Sequence, residues 1–256
     1  MNLIRSFFIA FSMYSKIPMP RTEWTKEAMK YAMCFFPLIG VVIGGVMMLW
    51  ACFGSRLFGW DSLFFTAVCV LIPVAVTGGI HLDGLLDTAD ALSSYKPMEQ
   101  KLEILKDSHA GAFAIIIGIC YFVADLGIYS ELTMEAVPVL ALSFLLSRAF
   151  SGLAIVTFRM AKNTGLAATF SDMAVKGRVK ITMLCYIVVV TGLMIVLHPG
   201  LGTAAFAAAL VSFFGYRHMA YSKFGGITGD LAGFYLQICE LLMAAVIILG
   251  ARLMGA

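Results

Sequence analysis

Charge is what this sequence has least of. Only 13% of its 256 residues are Asp, Glu, Lys or Arg, while 61% are hydrophobic; soluble domains carry about 25% charged and roughly 45–50% apolar residues. That scarcity excludes a soluble globular enzyme, and the apolar excess excludes a disordered chain, which needs the opposite balance. A formal net charge of +3 is too small to point to nucleic acid. Cysteine pairs are missing too. Cys34, Cys52, Cys69, Cys120, Cys185 and Cys239 all lie in apolar stretches and form no CxxC, so neither a disulfide framework nor a zinc site is expected. Nor is there a recognisable cleavable signal. The apolar stretch 3–14 is too short to span, Arg5 interrupts it, and no small-residue cleavage site follows. It is expected to be an interfacial helix with Phe7, Phe11 and Tyr14 on one face and Arg5, Ser12 and Lys16 on another.

What is abundant is apolar sequence in long runs, with a mean hydropathy of +0.93. A span needs about 20 mostly apolar residues, and seven stretches qualify: Tyr31–Phe53, Ser62–Gly79, Ala110–Ser130, Val137–Phe158, Ile181–His198, Leu201–Tyr216 and Leu231–Leu253. The expected fold is an all-α polytopic membrane protein, one integral membrane domain over 1–256. With seven spans, fifteen Lys and Arg fall on one side: Arg5, Lys16, Arg21, Lys26, Lys30, Lys96, Lys101, Lys106, Arg159, Lys162, Lys176, Arg178, Lys180, Arg217 and Lys223. Only Arg56 and Arg252 fall on the other. By the positive-inside rule the N-terminus and the loops 80–110 and 217–230 are cytoplasmic and the C-terminus is outside.

Against so little charge, acidic clusters stand out. In His81-Leu82-Asp83-Gly84-Leu85-Leu86-Asp87-Thr88-Ala89-Asp90, three aspartates occupy i, i+4 and i+7, one face of a helix. Carboxylates stacked in that way repel unless a cation neutralises them. A hard ion such as Mg2+ suits all-oxygen ligands and shares its shell with substrate phosphates, so Asp83, Asp87 and Asp90 are the candidate metal ligands. Pro97–Asp107 reads as a short surface helix with an apolar stripe of Met98, Leu102 and Leu105 and a wet face of Glu99, Lys101 and Glu103. Lys106 can meet a phosphate, and Asp107 is either a further ligand or, with Ser108, a cap for the third span. Gly225-Gly226-Ile227-Thr228-Gly229-Asp230 is a glycine-rich turn opening a helix, which either presents backbone N–H groups to an anion or is a flexible membrane-edge turn with Asp230 as its cap. It shares the pattern GGIxxD with Gly78–Asp83, and the two loops are expected to face one another around one site.

Asp125, Arg148 and Glu240 lie within spans, where charge is paired or functional. At about 1.5 Å per residue, Arg148 and Glu240 sit at equal depth, roughly 14–15 Å from the cytoplasmic end of their spans. They form either a pair that fixes helix packing or a polar floor beneath the site. Gly40-x3-Gly44 is a close-packing pattern that serves either within the chain or between copies in a homo-oligomer.

These parts suit phosphoryl transfer, which is mostly positioning and charge neutralisation. At the same residues the chain resembles the cobalamin synthase family, the adenosylcobinamide-GDP ribazoletransferases. The resemblance is carried by GGIHLDGLLDTADAL (78–92), KDSHAGAF (106–113) and GGITGD (225–230), with Phe36-Pro37-Leu38-Ile39-Gly40, Ser147-Arg148 and Glu240, and runs over essentially the whole chain. It implies a multi-pass inner-membrane enzyme that uses Mg2+, joins adenosylcobinamide-GDP to α-ribazole or its 5′-phosphate through a ribose hydroxyl, and releases GMP. It further implies that Asp83, Asp87 and Asp90 hold the metal and that one of Asp90, Asp107 or His81 takes the hydroxyl proton. Lys106, Ser108, Gly225, Gly226, Thr228, Gly229, Asp230 and Arg148 would contact substrate. Where the family has arginines, this chain has Lys16 in Tyr14-Ser15-Lys16-Ile17-Pro18, and His109 after Asp107-Ser108. A CDP-alcohol phosphotransferase is the alternative enzyme, but its D-G-x2-A-R pattern is absent. A cation transporter would place its acids at midplane rather than at a membrane edge.

Overall fold

The structure is a computed structural model that describes residues 2–107, 109–162 and 164–255. Among these residues twelve helices form and no strand: α1 (Asn2–Tyr14), α2 (Lys26–Met29), α3 (Ala32–Phe58), α4 (Leu63–Thr77), α5 (Ile80–Ser93), α6 (Met98–Ile104), α7 (Ala112–Tyr129), α8 (Val137–Thr157), α9 (Leu166–Met173), α10 (Lys176–Leu197), α11 (Pro199–Phe224) and α12 (Gly229–Leu253). Six of them, α3, α7, α8, α10, α11 and α12, are long and apolar enough to cross a membrane. Their outward faces carry exposed Leu49 and Phe53 on α3, Ile115, Ile119 and Val123 on α7, and Val188, Val189 and Val196 on α10, the apolar coat that lipid requires.

The second expected span, Ser62–Gly79, forms as α4 with nearly those bounds, and it is short. α4 has 15 residues, about 22 Å at 1.5 Å each, short of the ~30 Å hydrocarbon core. Gly78 (φ 68°) and Gly79 (φ 80°) stop it. Both lie in the left-handed region that only glycine enters without strain, and α5 leaves at 96° to α4. α4 lies along α3. Its start packs on the end of α3 (Trp50–Phe65 ring centroids 5.9 Å apart). At its end the Lys16 N–H donates to Val76 O at 2.8 Å and the Lys16 stem lies over Gly78, beside Tyr14, which packs on Phe36 at the start of α3. α10 and α11 also run past their expected ends, α10 beginning at Lys176 and α11 ending at Phe224.

α8 is the central helix, buried along most of its length, with α3, α10, α11 and α12 around it. Gly40 and Gly44 let α3 touch the α8 backbone at Phe144 and Ala141, so this pattern works within the chain. Arg148 and Glu240 meet as their equal depth implied. Arg148 Nη1 donates to Glu240 Oε1 at 2.6 Å and to Phe144 O at 2.7 Å, and Ser147 Oγ donates to the same carboxylate oxygen at 2.8 Å. The guanidinium is wholly buried, so Arg148 ties α8 to α12 and is not a wall of the site described below. α1 packs on α3 through Phe7 on Phe35, ring centroids 5.8 Å apart, with Ile9 and Phe11 buried, and Ser6 Oγ donates to Ala28 O. It is therefore fastened to the rest of the protein.

Removing one partner of a buried ion pair strands the other charge, a loss of about 3–5 kcal/mol. Glu240→Ala should therefore sharply lower the unfolding midpoint of the detergent-solubilised protein. Arg148→Met with Glu240→Met should recover most of that loss, and a Glu240→Ala protein as stable as the wild type would contradict the pairing.

Candidate active site

α5 crosses the start of α12 where neither helix has a side chain. A Cβ on Gly84 would stand 2.5 Å from Asp230 O, and one on Gly233 3.0 Å from His81 O. Backbones in contact bring the two GGIxxD loops together. Ile80, His81 and Asp83 from the first, and Ile227, Thr228, Gly229 and Asp230 from the second, line one cavity of about 430 Å³. Lys106 and Lys162 line it as well, so two lysines share it with two aspartates.

The glycine turn is held differently from the sequence expectation. The Gly225 and Gly226 N–H groups donate to Ala220 O, and the Ile227 N–H to Arg159 O at 2.9 Å. Ile227 O in turn accepts from the Ala161 N–H at 2.9 Å, which makes a parallel bridge between Met160 and Ile227. A Cβ on Gly226 would stand 2.5 Å from Arg159 O, so this glycine serves close approach rather than anion binding. In the first turn of α12 Thr228 accepts from the Leu231 N–H at 3.2 Å, which leaves the N–H groups ahead of it, at Gly229 and Asp230, as the donors for an anion.

The three aspartates of α5 share a helix but not a task. Asp83 faces the cavity. Asp87 is half-buried, and burial first, then the charges of Asp83, Asp230 and Asp90, push its carboxyl up to about 6. Asp90 is engaged elsewhere: it accepts from the Gly111 N–H and, at 2.9 Å, from the Ala114 N–H. It thus caps α7, a helix with no capping side chain of its own. Asp107, the expected local cap or ligand, is instead at the surface, where it accepts from the His109 backbone N–H at 3.0 Å and pairs with His109 Nδ1 at 2.7 Å. Those bonds hold its carboxyl below the usual range. It does not line the cavity, and Ser108 lies outside the described residues. His81 is 4% exposed, and its Nε2 has no partner among the described residues.

Two contributors escaped the sequence reading. Lys162 was legible only as one more positive loop charge. Its Nζ donates to Leu102 O at 2.5 Å, and burial and Lys106 lower its ammonium against the opposing pull of Asp230 and Glu103. α9, with the turn before it, roofs the cavity through Gly165, Leu166, Ala167 and Ala168. Lys101, expected on the wet face of α6, is buried.

Among the described residues no three His, Cys, Asp or Glu side chains converge closely enough to hold a metal ion by themselves. Mg2+ rarely needs such a cage. It takes about one or two carboxylates and completes its octahedron with water and substrate phosphates. Asp83 and Asp230 on one cavity, with Asp87 crowded behind them, fit an ion that arrives with a diphosphate.

Fold and site together define a multi-pass helical membrane protein with one acid- and lysine-lined cavity at the polar end of its bundle. A model of the family described as cobalamin-5-phosphate synthase matches residues 6–248. An adenosylcobinamide-GDP ribazoletransferase of Lachnoclostridium phytofermentans is 48% identical over 257 residues, covering 100% of this chain and 98% of that protein. Proteins of the same name from Clostridium perfringens (strain 13 / Type A) and Clostridium botulinum (strain Alaska E43 / Type E3) are 32% and 30% identical, covering 94% of this chain and 96% and 95% of theirs. No solved structure matches. The chain belongs to the cobalamin-5-phosphate synthase family.

The two kinds of aspartate should separate on stability. Losing a cap costs about 1 kcal/mol, so Asp90→Ala should lower the thermal midpoint measured without Mg2+. Asp83→Ala, which removes one of several crowded negative charges, should leave the midpoint unchanged or raise it. The reverse order would contradict the capping role.

Proposed function

We propose that the protein transfers a phosphoryl-linked cobinamide: a ribose hydroxyl of α-ribazole, or of its 5′-phosphate, attacks the cobinamide-bearing phosphorus of adenosylcobinamide-GDP. A new O–P bond forms, the P–O–P bond to the guanylate breaks, and GMP leaves with the bridging oxygen. The hydroxyl proton is lost, and the product is adenosylcobalamin or its 5′-phosphate, late in cobalamin biosynthesis. The protein is a transferase acting at the cytoplasmic face of a bacterial inner membrane. The observation that carries this reading is the convergence of Asp83 and Asp230 with Lys106 and Lys162 on one cavity.

In the mechanism, Asp83 and Asp230 would hold Mg2+, with Asp87 behind them, and the ion would neutralise the diphosphate and the departing GMP. Lys106 and Lys162 bind phosphate oxygens and offset the charge that gathers there. The free N–H groups of the first turn of α12 orient the same anion. The roof of α9 and the α5–α12 crossing limit water at the reacting phosphorus, which strengthens each of these interactions. Fifteen of the eighteen Lys and Arg on the side of this cavity support the cytoplasmic placement.

Purified protein in lipid vesicles, given adenosylcobinamide-GDP and α-ribazole 5′-phosphate, should release GMP and a cobalamin product only with Mg2+. Asp83→Ala should lose about 100-fold or more, and no GMP from the folded wild type would overturn the reading. Lys162→Ala should raise the KM for adenosylcobinamide-GDP more than it lowers kcat. An unchanged KM would remove this lysine from the phosphate contacts.

A further inference from the structure

The cavity has two unlike ends. At one end stand the aspartates and lysines, and the other is walled by Met13, Tyr14, Met33 and Phe36, with His81 against the rings of Tyr14 and Phe36. We propose, resting on the function above, that this apolar end seats the flat heteroaromatic base of the nucleoside substrate, with His81 Nε2 hydrogen-bonding an edge atom of that base.

The substrates make two kinds of demand. The diphosphate needs cations and N–H donors, which the charged end supplies. The base of a ribazole is flat, uncharged and largely apolar, and it gains most by stacking on aromatic and sulfur-bearing side chains. The Tyr14 ring is 4.6 Å from that of Phe36, centroid to centroid, and nearly parallel to the His81 imidazole, 21° between planes at 6.1 Å. Phe36 stands edge-on to the imidazole at 5.9 Å. Amid these rings His81 Nε2 is buried and without a partner among the described residues. Buried polar atoms are almost always hydrogen-bonded, and one that is not, in the wall of a cavity, calls for a ligand that completes it. His81 also precedes Asp83 by two residues on α5, so one helix carries both the base contact and the phosphate end, and a seated base fixes where the ribose hydroxyl points. Met13 and Met33 are the flexible walls, and their shape sets which bases fit.

The test varies the nucleoside in the reconstituted GMP-release assay, using ribazoles that carry benzimidazole, 5,6-dimethylbenzimidazole or adenine. His81→Phe keeps a ring and removes the hydrogen bond. It should raise the nucleoside KM about tenfold or more while the KM for adenosylcobinamide-GDP stays within about twofold. His81→Gln should recover part of the loss. Met33→Ala enlarges the end and should shift the kcat/KM ratio toward the bulkier base. If His81→Phe moves both KM values alike, or Met33→Ala leaves the order and ratio of the three bases unchanged in an active enzyme, this assignment is overturned and the functional reading stands. A folded wild type that releases no GMP overturns both.

Discussion

Two helices can touch backbone to backbone only where a missing side chain leaves room, and the site depends on one such contact. At Gly84 and Gly233 α5 lies directly on α12. The residue before Gly84 is Asp83, and Asp230 lies one helical turn before Gly233. The crossing therefore sets two carboxylates from distant parts of the chain on one cavity. Like charges resist that arrangement, and the Asp87 carboxyl, raised first by burial and then by the charges of Asp83, Asp230 and Asp90, lies beside them. Packing has to hold what electrostatics opposes until a cation arrives.

The packing is supplied from three sides. α12 is anchored in the core by the Arg148–Glu240 pair, which is buried on α8 and costs stability if half is removed. α5 is fastened at its far end because Asp90 takes the first N–H groups of α7, so the third acid of the motif positions the helix that carries the first. The glycine turn before α12 is bridged to 159–161, and that bridge brings Lys162 to the cavity. These attachments fit the general need of a catalytic constellation for groups whose positions are fixed before the substrate enters.

Much of this was legible in the sequence, for reasons that can be named. Apolar runs mark membrane helices because lipid tolerates little else, and they found α3, α7, α8 and α12 nearly in register. Spacing at i, i+4 and i+7 placed the three aspartates on one helix. Equal depth from the cytoplasmic edge paired Arg148 with Glu240 across 92 residues, and the shared GGIxxD pattern brought the two loops together. The rest failed where the cause is tertiary. No local signal shows that Asp90 caps a helix 21 residues on, that Gly226 is small because Arg159 is beside it, or that Lys162 is a cavity residue and not a membrane-edge charge. The second span was read as Ser62–Gly79, and the left-handed pair Gly78-Gly79 stops α4 at Thr77. The family resemblance named the chemistry, while the division of labour among the aspartates needed the coordinates.

The central claim is that the α5 and α12 loops form one site, and a double-mutant cycle on GMP release between Asp83→Asn and Asp230→Asn tests it most directly. Two carboxylates serving one ion and one diphosphate should be strongly coupled, so that the double variant is scarcely worse than the poorer single one. If the two losses simply multiply, the loops act independently and the single-site account fails.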